Sequence, residues 1–115
     1  MSEPGPTPLA IVERYFAAMR AADPRVAELF HADAELVGLG TVVRGRPAID
    51  DFYAASISNA RPTPQLHGPC LVAGHRVAAE ITIDLLGAPP LHVMDLFEVD
   101  GDRIRRLTYF VADHG

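Results

Sequence analysis

The apolar residues of this chain change their spacing near residue 61, and this change limits the folds that the chain can adopt. Before that point they recur at helical spacing in three segments. Each segment opens with a helix start signal, namely Thr7-Pro8, Asp23-Pro24 and Pro47. Beyond residue 61, apolar and polar residues alternate between turn-forming residues, as they do in β-strands. Helices followed by strands predict an α+β fold, in which helices pack on one side of a curved antiparallel sheet and enclose a pocket.

Three strands are expected in the second half. The clearest spans residues 77–85, where one face is apolar and the other mostly polar. The turn formers at residues 87–90 should end it, and further strands should follow over residues 91–99 and from residue 103 to about residue 112.

The length of 115 residues predicts one domain, which we expect to span residues 9–115 after a disordered, proline-rich lead-in at residues 1–8. The chain has 49% apolar and 22% charged residues, and its apolar runs are far shorter than the roughly 20 residues of a membrane helix. The first residues do not resemble a secretory signal, so we expect a cytoplasmic protein that does not contact membranes. A net charge of −5 would repel a phosphate backbone, and we therefore expect no nucleic-acid partner.

The residue inventory also argues against metal and cofactor chemistry. Cys70 is the single cysteine, so neither an internal disulfide nor a thiolate zinc cluster can form. The five histidines lack metal-ligand spacing, and the chain has no lysine for a Schiff base or a P-loop. We therefore predict no metal and no cofactor.

Asp95 is the most informative polar residue, because it lies within an apolar run and shares strand parity with Val93 and Phe97. A carboxyl group on that face would lose its hydration and keep its proton, which would make it a hydrogen-bond donor. Alternation alone is equally compatible with an aspartate that points to solvent. Tyr15 and Tyr53 lie on apolar helical faces, where each taken singly is best interpreted as an ordinary core tyrosine.

Four runs of the sequence together resemble bacterial Δ5-3-ketosteroid isomerase, in the same order and over about residues 9–113. They are residues 12–19 (VERYFAAM), 29–36 (LFHADAEL), 44–53 (RGRPAIDDFY) and 93–97 (VMDLF). The second run is common to the wider NTF2-like and SnoaL-like superfamily. The resemblance implies a cone of curved antiparallel sheet that holds helices, commonly assembled as a homodimer.

The resemblance also implies an activity and a site. Members of that family isomerise a 3-ketosteroid by moving a proton through a dienolate. The enolate oxygen is held by a tyrosine, which falls on Tyr15, and by a protonated aspartic acid, which falls on Asp95. Tyr53 falls on a second tyrosine that supports the first through a hydrogen bond. The expected ligand is an apolar, steroid-like small molecule, and the residues expected to line its pocket are Val12, Phe16, Leu36, Gly38, Ala79, Ile81, Ile83, Val93, Phe97, Tyr109 and Val111.

The family's catalytic base is an aspartate, and the ungapped alignment puts Gly38 at its position. General acid–base catalysis is worth roughly 10²–10⁴ in rate, so its loss would cripple the reaction unless another group replaces it. Glu35 and Asp33 are the nearest replacements in sequence, although a regular strand would aim Glu35 away from the pocket. The sequence therefore leaves three functions open: a ketosteroid isomerase-type enzyme, a SnoaL-like cyclase or epoxide-opening enzyme, and a non-catalytic protein that binds an apolar ligand.

Overall fold

The structure is a computed structural model that describes residues 6–38 and 40–112. Most of the expected lead-in (residues 1–5), residue 39, and the last three residues of the expected domain (113–115) lie outside the described residues. Within the described residues the chain forms the following elements: α1 (Pro8–Arg20), a 3₁₀ helix (Pro24–Leu29), β1 (Phe30–Gly38), β2 (Thr41–Arg44), α2 (Arg46–Ala60), β3 (Thr63–Leu66), β4 (Leu71–Ala73), β5 (Arg76–Leu85), β6 (Ala88–Asp100) and β7 (Arg103–Val111).

The predicted helix starts are close to the observed ones. The Thr7 side chain accepts a hydrogen bond from the Ala10 amide at 3.1 Å, and Pro8 occupies the first turn, which confirms the predicted start of α1. Asp23 caps the short 3₁₀ helix in the same manner. The second long helix begins one residue before Pro47, directly after a glycine with φ of +84°.

The seven strands form one sheet with the path β2-β1-β7-β6-β5-β3, and β4 pairs with β5. The helices pack on one side of it, which confirms the α+β prediction. Two expectations were wrong. The β1–β2 hairpin lies between the helices, so the helices do not all come first. The sheet is also not entirely antiparallel, because β1 pairs with β7 in parallel.

The expected turn at residues 87–90 is shorter in the structure. Ala88 pairs with Leu85 across a tight turn, so β6 begins at Ala88 and includes both prolines that follow. The pairing with β5 shifts register between Ile83 and Leu85, and such an irregularity accommodates residues that lack an amide hydrogen.

The core lies between the apolar face of α1 and the inner face of the sheet. The Phe16 and Phe97 rings meet edge to face with centroids 5.6 Å apart, and Tyr15 contacts Phe97 in the same manner at 5.1 Å. These contacts fix α1 over the middle of β6, next to Asp95. None of the described helices is long and apolar enough to cross a membrane.

Candidate functional site

A cavity of about 100 Å³ opens between the two long helices and the inner face of the sheet. Its deep end is formed by fully buried residues, among them Tyr15, Phe16 and Asp95. Its outer end is formed by half-buried residues, among them Ser56 and Leu91. Apart from the hydroxyl and carboxyl groups described below, the walls are almost entirely apolar, as is typical of sites for small organic molecules.

Asp95 lies at the deep end of this cavity, on β6. It is 1% exposed, and its cross-strand neighbours are Ala79 on β5 and Tyr109 on β7. Among the buried side-chain nitrogen and oxygen atoms of the described residues, its Oδ1 is the one that lacks a hydrogen-bond partner. Burial raises the pKa of Asp95 to about 8, so its carboxyl group is mostly neutral at pH 7.

Three tyrosine hydroxyls form a closed triangle in the same cavity. The Tyr15 hydroxyl lies 3.0 Å from that of Tyr53 and 3.3 Å from that of Tyr109, and the last two lie 3.0 Å apart. The three residues come from α1, α2 and β7, so the triangle depends on the packing of both helices against the sheet. Each phenol has one proton to donate. A ligand oxygen that accepts a hydrogen bond from one of these phenols therefore displaces one of the three hydrogen bonds within the triangle.

All three phenols stay neutral at physiological pH. Burial, and after it the neighbouring phenols and the Asp95 carboxylate, raises the pKa of Tyr15 well above its usual range. Burial is also the main cause of the raised pKa values of Tyr53 and Tyr109. The cavity thus offers neutral O–H donors in a place with little water, where hydrogen bonds to a developing negative charge are strongest.

Five of the predicted pocket residues line this cavity: Phe16, Ile81, Ile83, Val93 and Tyr109. Leu36 and Gly38 line a smaller adjacent cavity of about 20 Å³, which shares Phe52 and Tyr109 with the main one.

The other four predicted lining residues do not reach the cavity. Val12, Ala79 and Phe97 are buried in the packed core, where neighbouring side chains cover them. Val111 lies near the end of β7 and is 44% exposed, because the sheet extends there beyond the cavity.

Several lining residues were not predicted, although the sequence contains a signal for them. Met19 follows Tyr15 by four residues and Ser56 follows Tyr53 by three, so each shares a helical face with a tyrosine. Leu91 shares strand parity with Asp95. No simple pattern marks Pro62, which directly precedes β3, or Pro64, which lies within it, although both line the cavity.

The Gly38 position cannot hold a side chain with the present backbone. A Cβ atom there would lie 2.7 Å from the carbonyl oxygen of Tyr109 and 2.9 Å from its Cβ. The glycine also has φ of +138°, a conformation that other residues rarely adopt. A base is therefore absent at residue 38, and the close approach of β7 closes that place to any side chain.

Glu35 and Asp33, the two replacement bases nearest in sequence, do not reach the cavity either. Glu35 is bound by Arg44 at 2.9 Å and by Arg106 at 3.2 Å, and these two hydrogen bonds lower the pKa of its carboxyl group. Asp33 lies beside Glu35 in a polar surface depression lined also by Arg106. Neither lines the cavity, so Asp95 is the one carboxyl group among the described residues that does.

The described part of the chain has no group of three or more histidine, cysteine, aspartate or glutamate side chains placed to hold a metal ion.

The model of the SnoaL-like domain family matches residues 12–107 of this chain. A crystal structure of a protein from Sphaerobacter thermophilus is 30% identical, with 91% of this chain and 95% of that chain covered and a TM-score of 0.76. Search of the curated proteins gave no match.

Two further solved structures show likeness of fold. One is SalBIII, an epoxide hydrolase/cyclase-like enzyme with a role in pyran ring formation in the polyether salinomycin (20% identity, 91% of this chain and 90% of that chain, TM-score 0.81). The other is a protein from Catenulispora acidiphila with a ketosteroid isomerase-like fold, in complex with trimethylamine (24% identity, 91% of this chain and 86% of that chain, TM-score 0.75). These likenesses confirm the predicted ketosteroid isomerase-like α+β fold.

Proposed function

Because the chain belongs to the SnoaL-like domain family, we propose that it is an enzyme that moves a proton on an enolisable ring ketone, a 3-ketosteroid or a similar compound. Tyr15 and Asp95 bind the oxygen of the enolate, and Tyr53 supports Tyr15. The reaction needs no cofactor or metal, because it consists of proton transfers.

The observation that carries this proposal is the state of Asp95. A carboxyl group that is 1% exposed, has an unpartnered Oδ1 and shares an apolar cavity with phenols is costly to keep in a folded protein. Strongly perturbed acids in cavities are typical of functional sites. The neutral acid can donate a hydrogen bond to a ligand oxygen, and the bound ligand then gives the carboxyl group the hydrogen-bond partner that it lacks.

Enolate formation is a step that such hydrogen-bond donors accelerate. When a proton leaves the carbon next to a ketone, negative charge develops on the ketone oxygen. Hydrogen bonds from Asp95 and Tyr15 strengthen as that charge grows, and one such donor is typically worth about 10²–10³ in rate. Binding of the neutral ketone exchanges one hydrogen bond of the tyrosine triangle for one to the ligand oxygen, and this new bond gains most as negative charge develops in the transition state.

The closed position at Gly38 limits the rate. Because no carboxylate can stand at residue 38 and neutral Asp95 binds the enolate oxygen, water must accept the carbon-bound proton. We expect turnover roughly 10²–10⁴ times slower than with a dedicated base.

The test is the appearance of a conjugated enone in the ultraviolet, with a Δ5-3-ketosteroid and with cyclohex-3-enone as substrates. We expect Tyr15→Phe and Asp95→Asn each to reduce turnover at least tenfold. Asp84→Asn is the matched control, because it makes the same chemical change on β5 at a residue that bonds Gln65 outside the cavity. Turnover that is insensitive to Tyr15→Phe and Asp95→Asn would refute the assignment.

Gly38 favours a second candidate, a non-catalytic protein that binds an apolar ligand through the same donors. This second candidate predicts no turnover in the assay. It also predicts that the protein binds a phenol and that Asp95→Asn weakens this binding. A cyclase or epoxide-opening enzyme is less well supported, because epoxide opening by water usually needs an acid and a base that converge, and the described cavity offers one carboxyl group.

We further propose that the protein is a homodimer. Support comes from exposed apolar side chains on the outer face of the sheet, where Phe110 is 54% and Val42 is 48% exposed. Val42 pairs with Val37, and Val37 pairs with the residue two before Phe110, so the two exposed side chains lie near each other on that face. Neighbouring exposed apolar side chains on one face are typical of protein contacts.

A further inference from the structure

The volume of the cavity restricts the choice of ligand more than the chemistry of the cavity walls does. At about 100 Å³ it is of the same order as an apolar core cavity of about 150 Å³ that holds one benzene molecule, so it has room for about one ring with its outer edge at the open end. It is well below the roughly 300–1,000 Å³ of pockets that enclose drug-sized molecules. A four-ring skeleton therefore cannot be enclosed.

The walls at the deep end leave little room for expansion. Phe16, Ile81 and Val93 are each at most 2% exposed, and Phe16 packs edge to face on Phe97. Close-packed side chains of this kind do not move aside without opening the core. The half-buried leucines at the outer end, Leu85 and Leu91, are the wall residues that truncation could remove without exposing the core.

The position of the polar groups fixes the direction of entry. Asp95 and Tyr15 are at the buried end, so the ligand oxygen must enter first and the attached ring must occupy the space behind it. Any second ring then lies at the outer end, beyond Leu91, where it gains little burial.

We infer that the site takes a ligand with a single oxygen-bearing ring, a monocyclic ketone or phenol, and that it does not enclose a fused polycyclic skeleton. This inference rests on the proposed function, because it assumes that Asp95 and the phenols bind the ligand oxygen, and it narrows the substrate class of that site.

The test is a binding series in which the oxygen is constant and only the number of rings changes. Phenol, 2-naphthol and a four-ring phenolic steroid are titrated by calorimetry at pH 6, where Asp95 is protonated. If the cavity enclosed a second ring, its four additional carbons would raise affinity on the order of 100-fold. We expect 2-naphthol and the steroid to bind at most about threefold more tightly than phenol.

A variant with a larger cavity adds an independent measurement. Leu91→Ala should raise the affinity for 2-naphthol relative to phenol at least tenfold, because the second ring then fits. Leu96→Ala is the matched control, since it makes the same truncation on the same strand with the opposite parity and outside the cavity lining, and it should leave the ratio unchanged.

The outcomes are distinct. Tenfold or tighter binding of either larger ligand by the unmodified protein overturns the inference, and so does the absence of phenol binding. If affinity is independent of ring number and neither ketone is isomerised, the size limit stands and the proposed function fails. If both ketones are isomerised but the KM of the Δ5-3-ketosteroid is at least tenfold below that of cyclohex-3-enone, the proposed function stands and the size limit fails.

Discussion

Asp95→Asn is expected to make the protein more stable at neutral pH and to remove a specific pH dependence. The carboxyl group titrates near pH 8 in the folded protein, as against about 3.8 when it is free in water. Between these two values the unfolded chain has lost the proton while the folded chain retains it. The unfolded state therefore binds fewer protons, and the free energy of unfolding falls as the pH rises.

The magnitude follows from the separation of the two pKa values. Each pH unit between them removes about 1.4 kcal/mol of stability. At pH 7, about three units above the lower value, the carboxyl group costs about 4 kcal/mol, and the full difference, reached above pH 8, is about 6 kcal/mol. Asparagine has nearly the same shape and does not ionise. Its buried amide adds a constant cost of about 1–3 kcal/mol if it is unpaired.

The assay is urea unfolding of both proteins at one protein concentration, at half-unit steps from pH 4.5 to pH 9. The quantity to plot is the difference in the free energy of unfolding between the variant and the unmodified protein, because the titration of other groups cancels in it. We expect this difference to rise with a slope near 1.4 kcal/mol per pH unit and to level off above pH 8. A flat difference would show that Asp95 is ionised in the folded protein with an ordinary pKa, and it would refute the reasoning behind the site.

Three other substitutions test further features. Gly38→Ala should lower the free energy of unfolding by about 2–4 kcal/mol, because the new Cβ collides with the Tyr109 backbone. Gly40→Ala, where no atom lies within 4 Å, should cost only about 1 kcal/mol in the same urea experiment, and equal effects would contradict the close approach. Tyr109→Phe removes one corner of the hydroxyl triangle and should cost about 1 kcal/mol, whereas unchanged stability would mean that its hydrogen bonds contribute nothing. Phe110→Glu should convert the proposed homodimer to a monomer in sedimentation analysis, and an unchanged mass would exclude this face as the contact.

Part of the site could be predicted because it depends on local periodicity. Strand parity put Asp95 on the same face as Val93 and Phe97 but left a solvent-facing side chain equally possible, and the resemblance to ketosteroid isomerase favoured the buried one. Helical spacing put Tyr15 and Tyr53 on inward faces. These assignments need only the geometry of one element each.

The rest depends on pairing between distant elements, which periodicity does not encode. The Tyr109 hydroxyl reaches the other two phenols because β7 pairs with β6 in a particular register, and that register shifts between Glu98 and Val99. The closure of the Gly38 position likewise results from the parallel pairing of β1 with β7. A one-residue change in the pairing of β7 would turn the Tyr109 side chain to the opposite face and would end its close approach to Gly38.

The parallel pairing of β1 with β7 also has a consequence for the order of folding. The strand that the ribosome makes last of all those described lies inside the sheet, between β1 and β6. The nascent protein therefore has an open gap in its sheet until residues 103–111 have emerged, and contacts across about 70 residues must form at the end. Chains with such long-range pairings fold slowly, so a ribosome-stalled fragment that ends before β7 should be sensitive to protease while the full chain is resistant.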